Sequence, residues 1–125
     1  MRYGAFLDGR RVLVAEDEFL LALELEAVLV RQGCVVLGPV STLDRALALL
    51  DGQPLDGAVL DVNLRGRRVT PLAAALQERS VPFVLVTGYA DRQLSEPELC
   101  GQPRLDKPLD GEHLLRTLAC TLQRG

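Results

Sequence analysis

Aromatic side chains are scarce: three Phe, two Tyr and no Trp make up 4% of the 125 residues, so a core must be built mainly from Leu, Val and Ala. Histidine occurs once, at His113, which removes any pair of imidazoles for a shared metal. Cys34, Cys100 and Cys120 are odd in number, far apart and without C-x-x-C spacing. That pattern argues against a disulfide framework or zinc site, and the three are expected to be small apolar fillers in a reducing cytoplasm. No stretch reaches the roughly 18 uncharged apolar residues of a membrane span. The N-terminus meets Asp8 too soon for a secretory leader. Positive charge is also limited: the net charge is −3, which argues against a nucleic-acid binder. What remains is 48% apolar and 25% charged, the composition of an ordinary globular chain, and its length predicts a single domain over 1–125.

Short apolar runs alternate with helix-period segments and no repeat or linker interrupts them. Strands are predicted at 12–15, 35–40, 58–60, 83–86 and 104–106. A helix over 19–32 stops at Gly33. Ser41 is a candidate cap for a helix reaching Leu50, with Asp44 three residues on. Thr70 and Pro71 read as an N-cap and first-turn pair for a helix to about Glu78. Asp110 caps a last helix carrying Leu114, Leu115, Leu118 and Leu122 at helical spacing. Gly88, Pro97 and Gly101 break the segment 88–102, so a fourth helix there is expected to be short or irregular. Near-continuous apolar strands alternating with helices predict an α/β fold, a parallel sheet covered on both faces. The expected arrangement is the flavodoxin-like (βα)5 three-layer sandwich with strand order 2-1-3-4-5, core about 11–122.

In such sheets the ligand site lies beyond the carboxyl ends of the strands. Strand one ends in Glu16, Asp17 and Glu18, strand three in Asp61, strand four in Thr87 and strand five in Asp106, Lys107 and Pro108. Lys107 is the only lysine in the chain. Clustered carboxylates repel one another unless something positive sits among them. A hard divalent cation such as Mg2+ and one ammonium supply that charge, and carboxylate and carbonyl oxygens are the ligands Mg2+ takes.

These residues, in this order, resemble a two-component response-regulator receiver domain over about 11–122. The likeness is carried by Glu16-Asp17-Glu18, Leu60-Asp61-Val62-Asn63, Val86-Thr87-Gly88 and Asp106-Lys107-Pro108. Pro82-Phe83 and Thr87-Gly88-Tyr89 add a partial likeness to the stand-alone "FAT GUY" receivers of general stress signalling in alphaproteobacteria, with Leu85 and Val86 where that motif has Phe-Ala. The resemblance implies that Asp61, an exposed carboxylate on a strand end, takes a phosphoryl group from a histidine kinase or histidine phosphotransfer protein. Mg2+ would be held by Asp17, Asp61 and the backbone carbonyl of Asn63, with Glu16, in place of the more usual Asp, acting through water. Lys107 would bind one phosphoryl oxygen and Thr87 another, a contact made only after transfer and therefore a switch. The implied protein is a cytoplasmic, single-domain phosphoprotein without an output domain, a monomer or weak homodimer. It would relay phosphate or signal through a protein partner, without turnover catalysis and without contact to nucleic acid or membrane.

Several positions depart from that pattern. Arg104 stands where many receivers carry an aromatic switch, which leaves Tyr89 as the substitute. Arg65 replaces a usual proline and is followed by Gly66, Arg67 and Arg68, a solvated loop or an aid to anion approach. His113 is expected at the surface. Leu20, Leu23 and Ala27 lie off the stripe through Leu21, Leu25 and Val28, a surplus that suits either a docking patch or packing. Two other functions compete: an unphosphorylated receiver-like interaction module, and a metal-dependent phosphatase with an aspartyl nucleophile. The intact set of Asp17, Asp61, Thr87 and Lys107 argues against the first. Asn63 argues against the second, because an amide offers no general acid to the leaving group.

Overall fold

The computed structural model describes residues 2–88 and 93–124. Its elements run α1 (Arg2–Leu7), β1 (Arg11–Ala15), α2 (Phe19–Arg31), β2 (Val35–Val40), α3 (Leu43–Leu49) and β3 (Gly57–Asp61). They continue with β4 (Asn63–Leu64), β5 (Arg67–Arg68), α4 (Thr70–Glu78), β6 (Phe83–Thr87), β7 (Arg104–Asp106) and α5 (Gly111–Arg124). Five strands pair in parallel in the order β2-β1-β3-β6-β7, which is the 2-1-3-4-5 order expected.

Alternation along the strands builds the two apolar layers. Leu13, Ala15, Ala58, Leu60, Phe83 and Leu85 form one cluster with Leu43 and Ala46 of α3 and Leu72, Ala73 and Leu76 of α4. Val12, Val14, Val59, Val84, Val86 and Leu105 form the other, with Leu25 and Leu29 of α2 and Leu114, Leu118 and Leu122 of α5. Burial on both faces explains why the strands read as nearly unbroken apolar runs. Among the described residues no helix is long and apolar enough to cross a membrane.

The local chemistry shifts several boundaries. Thr42, not Ser41, caps α3: its Oγ1 accepts from the Arg45 N–H at 3.2 Å. Helix α4 starts one residue earlier than expected, with Val69 as N-cap and Thr70 already helical, because Val69 is wholly buried and anchors the turn through apolar packing. Asp110 does cap α5, its Oδ1 accepting from the Glu112 N–H. Helix α1 was not expected. Six residues are too few to hold a helix by propensity, and this one rests on Leu7, wholly buried beside α5, and on Phe6 packed half-buried against the same cluster. The stretch after Asp61 is a two-residue hairpin, not an open loop: Arg65 (φ 51°) and Gly66 (φ 84°) both take the left-handed conformation that a type I′ turn requires. Cys34 is buried, but Cys100 and Cys120 are exposed, so only one of the three fills the core. Between β6 and β7 the described residues form turns with Leu99 inserted beneath, in accord with the expected irregular segment.

Candidate functional site

Strands β1, β3, β6 and β7 end at one rim, and their parallel register decides which side chains meet there. Lys107, just past β7, reaches back across the rim. Its Nζ donates to Asp61 Oδ2 at 3.0 Å, to Glu18 Oε2 at 2.6 Å and, more loosely, to Glu16 Oε2 at 3.4 Å. Asp61 Oδ1 accepts from the Asn63 N–H at 3.0 Å, so both carboxylate oxygens are held. Asn63 is itself fixed by the hairpin, its Oδ1 accepting from the Gly66 N–H. Asp17 Oδ2 accepts from the Arg65 N–H at 2.9 Å, a donor that a proline at this position would lack.

Asp61 is 4% exposed, so the expectation of a solvent-exposed carboxylate is corrected: the residue is sunk in the rim and shielded by Lys107 and the hairpin. Glu16 is deeper still, with a side chain of zero exposure. Burial pushes its carboxyl up to about 8; the Glu18 N–H opposes this and the nearby Asp61 charge adds to it. Burial alone would lower the Lys107 ammonium, but hydrogen bonds to Glu18 and Asp61 and the surrounding negative charge raise it above its ordinary value.

The rim fits a divalent cation. Glu16, Asp17 and Asp61 each offer a carboxylate oxygen, all within 4.8 Å of one another. Glu16 Oε1 is buried and, among the described residues, has no hydrogen-bond partner. An orphaned buried acceptor of this kind is costly unless something positive satisfies it. A cleft of about 240 Å³ opens onto Glu16 and Asp17, walled by Phe19, Leu23, Arg45 and Arg65.

Thr87 ends β6 wholly buried, and its Oγ1 donates to Asp106 Oδ1 at 2.6 Å. Sequence alone does not give that bond, because it follows from Thr87 and Asp106 being register partners of neighbouring strands. In the sequence Glu18 is one more acid after strand one; in the structure it makes a shorter contact to Lys107 than Glu16 or Asp61 does. Tyr89 lies outside the described residues. Arg104 and His113 are exposed. Of the hairpin arginines, Arg67 pairs with Asp44 at 3.2 Å and Arg68 forms a two-pronged pair with Glu96 at 2.7 and 3.0 Å. Arg68 holds the Glu96 carboxyl down at about 2. On α2 the surplus is real: Phe19, Leu20, Leu23 and Ala27 are exposed, while Ala22, Leu25 and Leu29 are buried and Leu21 and Val28 of the expected stripe pack half-buried against the same core.

No family model matches the chain. Among curated proteins it is 31% identical over 88 residues to the transcriptional regulatory protein PdtaR of Mycobacterium tuberculosis, and 31% over 108 residues to the operon regulator TorR of Escherichia coli. Those matches cover 70% and 83% of this chain, which spans 43% and 46% of the two relatives' lengths. The solved structure of SdrG from Sphingomonas melonis is 37% identical, with a TM-score of 0.81, covering 91% of this chain and 97% of that one. A response regulator receiver protein from Sinorhizobium medicae is 26% identical with a TM-score of 0.82, covering 94% and 97%. The shared fold, the identity over nearly the whole of SdrG and the regulators matched in sequence lead to one conclusion: the chain belongs to the response-regulator receiver-domain family.

Proposed function

We propose that this domain accepts a phosphoryl group on Asp61 from a phosphohistidine of a kinase or phosphotransfer protein and then signals through, or relays to, a protein partner. The observation that carries this reading is the meeting of Asp61 with Lys107 at 3.0 Å inside an acidic cluster of otherwise uncompensated charge. An Asp61 oxygen attacks phosphorus as the P–N bond to the donor imidazole breaks, so that an acyl phosphate forms and the imidazole leaves. Such transfer depends on alignment and charge stabilisation more than on covalent assistance. The Asn63 N–H and Lys107 hold the attacking carboxylate in one orientation. Lys107 then offers its ammonium to a phosphoryl oxygen, and Thr87 offers its hydroxyl to another.

Asp17, Asp61, the Asn63 carbonyl and Glu16 are the groups that would hold Mg2+, with Glu16 Oε1 the acceptor in need of a partner. When bound, the ion supplies positive charge against which the transferring phosphoryl oxygens are stabilised. The domain is a phosphoryl acceptor, not a turnover enzyme, and acts in the cytoplasm. The test is incubation with Mg2+ and acetyl phosphate followed by intact mass. One added phosphoryl group, stable in acid, labile in base and lost in Asp61→Asn, is the expected outcome. Absence of label from both small donors and histidine phosphodonors would overturn the reading.

A further inference from the structure

The Thr87 hydroxyl carries a single proton, and that proton is already committed. Thr87 and Asp106 are paired across β6 and β7, and the 2.6 Å separation of Oγ1 from Oδ1 is that of a hydroxyl donating to a charged carboxylate. Thr87 is wholly buried, so water offers no easy alternative acceptor. Asp106 also directly precedes Lys107, whose backbone N–H donates to the Thr87 carbonyl at 2.9 Å. One strand end thus carries the acceptor that holds Thr87 and the ammonium that holds Asp61.

We propose that Asp106 is a positioning residue that sets the threshold of the switch, by competing with the phosphoryl group on Asp61 for the Thr87 hydroxyl. The inference rests on the proposed phosphoryl acceptance and deepens it. Donation to Asp106 and donation to a phosphoryl oxygen are mutually exclusive for one proton, so the bond to Asp106 opposes the phosphorylated arrangement. A ligand shifts a two-state equilibrium only by its differential contacts, and here the resting state has a strong contact of its own to lose.

The experiment is a double-mutant cycle on the full chain with beryllofluoride as the phosphoryl mimic, in Mg2+, with affinity read by NMR titration. Asp106→Ala is expected to bind beryllofluoride about tenfold more tightly than wild type, as loss of one charge-assisted hydrogen bond predicts, with Asp106→Asn between the two. In a Thr87→Ala background, Asp106→Ala should change affinity by less than about twofold, since no proton is left to compete for. In the cation-free protein the Thr87 side-chain resonances should shift in Asp106→Ala, a readout independent of loading. Equal affinity of Asp106→Ala and wild type overturns the inference. So does an equal gain with and without Thr87, which would make the effect one of charge alone. If Asp106→Ala does not fold, Asp106→Asn carries the same cycle with the same sign. Wild type that binds beryllofluoride while the variants match it sinks only the role of Asp106; wild type that takes neither the mimic nor phosphoryl sinks the proposed function together with it.

Discussion

Glu16 stands where receivers more often carry Asp, and its longer arm has a physical consequence. Oε2 accepts from the Glu18 N–H and approaches Lys107, while Oε1 is left buried without a partner among the described residues. With its carboxyl raised from an ordinary 4.5 to about 8, the folded protein holds a proton that the unfolded chain has released over that interval. A raised folded value means a contribution present below about 4.5 and lost as pH climbs through about 8. Glu16→Gln abolishes the titration. Without divalent cations, it should melt near the wild-type temperature at pH 5 and several degrees above it at pH 9, since each tenfold change in proton affinity on folding is worth about 1.4 kcal/mol. Melting curves by circular dichroism in EDTA check this; parallel pH profiles would show that Glu16 is not the group responsible. At this scale the meeting of Asp17, Asp61 and Lys107 at the rim, with Thr87 at the end of β6, was legible because each ends a strand or stands within two residues of a strand end. The Thr87–Asp106 bond was not, because it depends on which residues of β6 and β7 stand opposite, and strand register is a tertiary outcome.

Among the elements, the misplaced caps show where a string of residues runs out of information. Ser41 and Thr42 are adjacent, both good caps, and the choice between them depends on how β2 delivers the chain to α3. In the fold Thr42 is extended (φ −128°, ψ 152°) and its hydroxyl meets the Arg45 N–H. Thr42→Ala should therefore cost about 1 kcal/mol in chemical denaturation, and Ser41→Ala should stay within about 0.5 kcal/mol. The reverse order would return the cap to Ser41. The β4–β5 hairpin was hidden for a different reason. Arg65-Gly66 is not the Asn-Gly or Asp-Gly signal of such turns; Arg65 takes φ 51° in a turn whose Arg65 N–H is anchored on Asp17 and whose Gly66 N–H is tied to Asn63. Helix α1 likewise is held by tertiary packing, with Leu7 buried and Phe6 half-buried against the same core, and not by a local pattern.

For the whole molecule, the alternation of buried strands and amphipathic helices was enough to place the sheet order and hence the rim. The same folding event that packs both faces of the sheet gathers Glu16, Asp17, Glu18 and Asp61 around a single ammonium. Like charges on Asp17, Glu18 and Asp61, joined by Glu16 once it ionises, oppose the fold that brings them together, and one ammonium stands against them. An ion that binds the gathered carboxylates and not the separated ones must then stabilise the native state by mass action. At a hundred times its dissociation constant the gain is about 2.7 kcal/mol, several degrees in a domain of this length. Thermal melts with and without Mg2+, matched in ionic strength with NaCl, should show that rise for wild type. Asp17→Asn should melt higher than wild type without the divalent ion, having lost a repulsive charge, and should gain much less when it is added. Equal gains from Mg2+ and matched NaCl would reduce the effect to general screening. A loss of the Mg2+ gain in Asp17→Asn, with its cation-free stability raised, would tie the repulsion stored at the rim directly to the ion that relieves it.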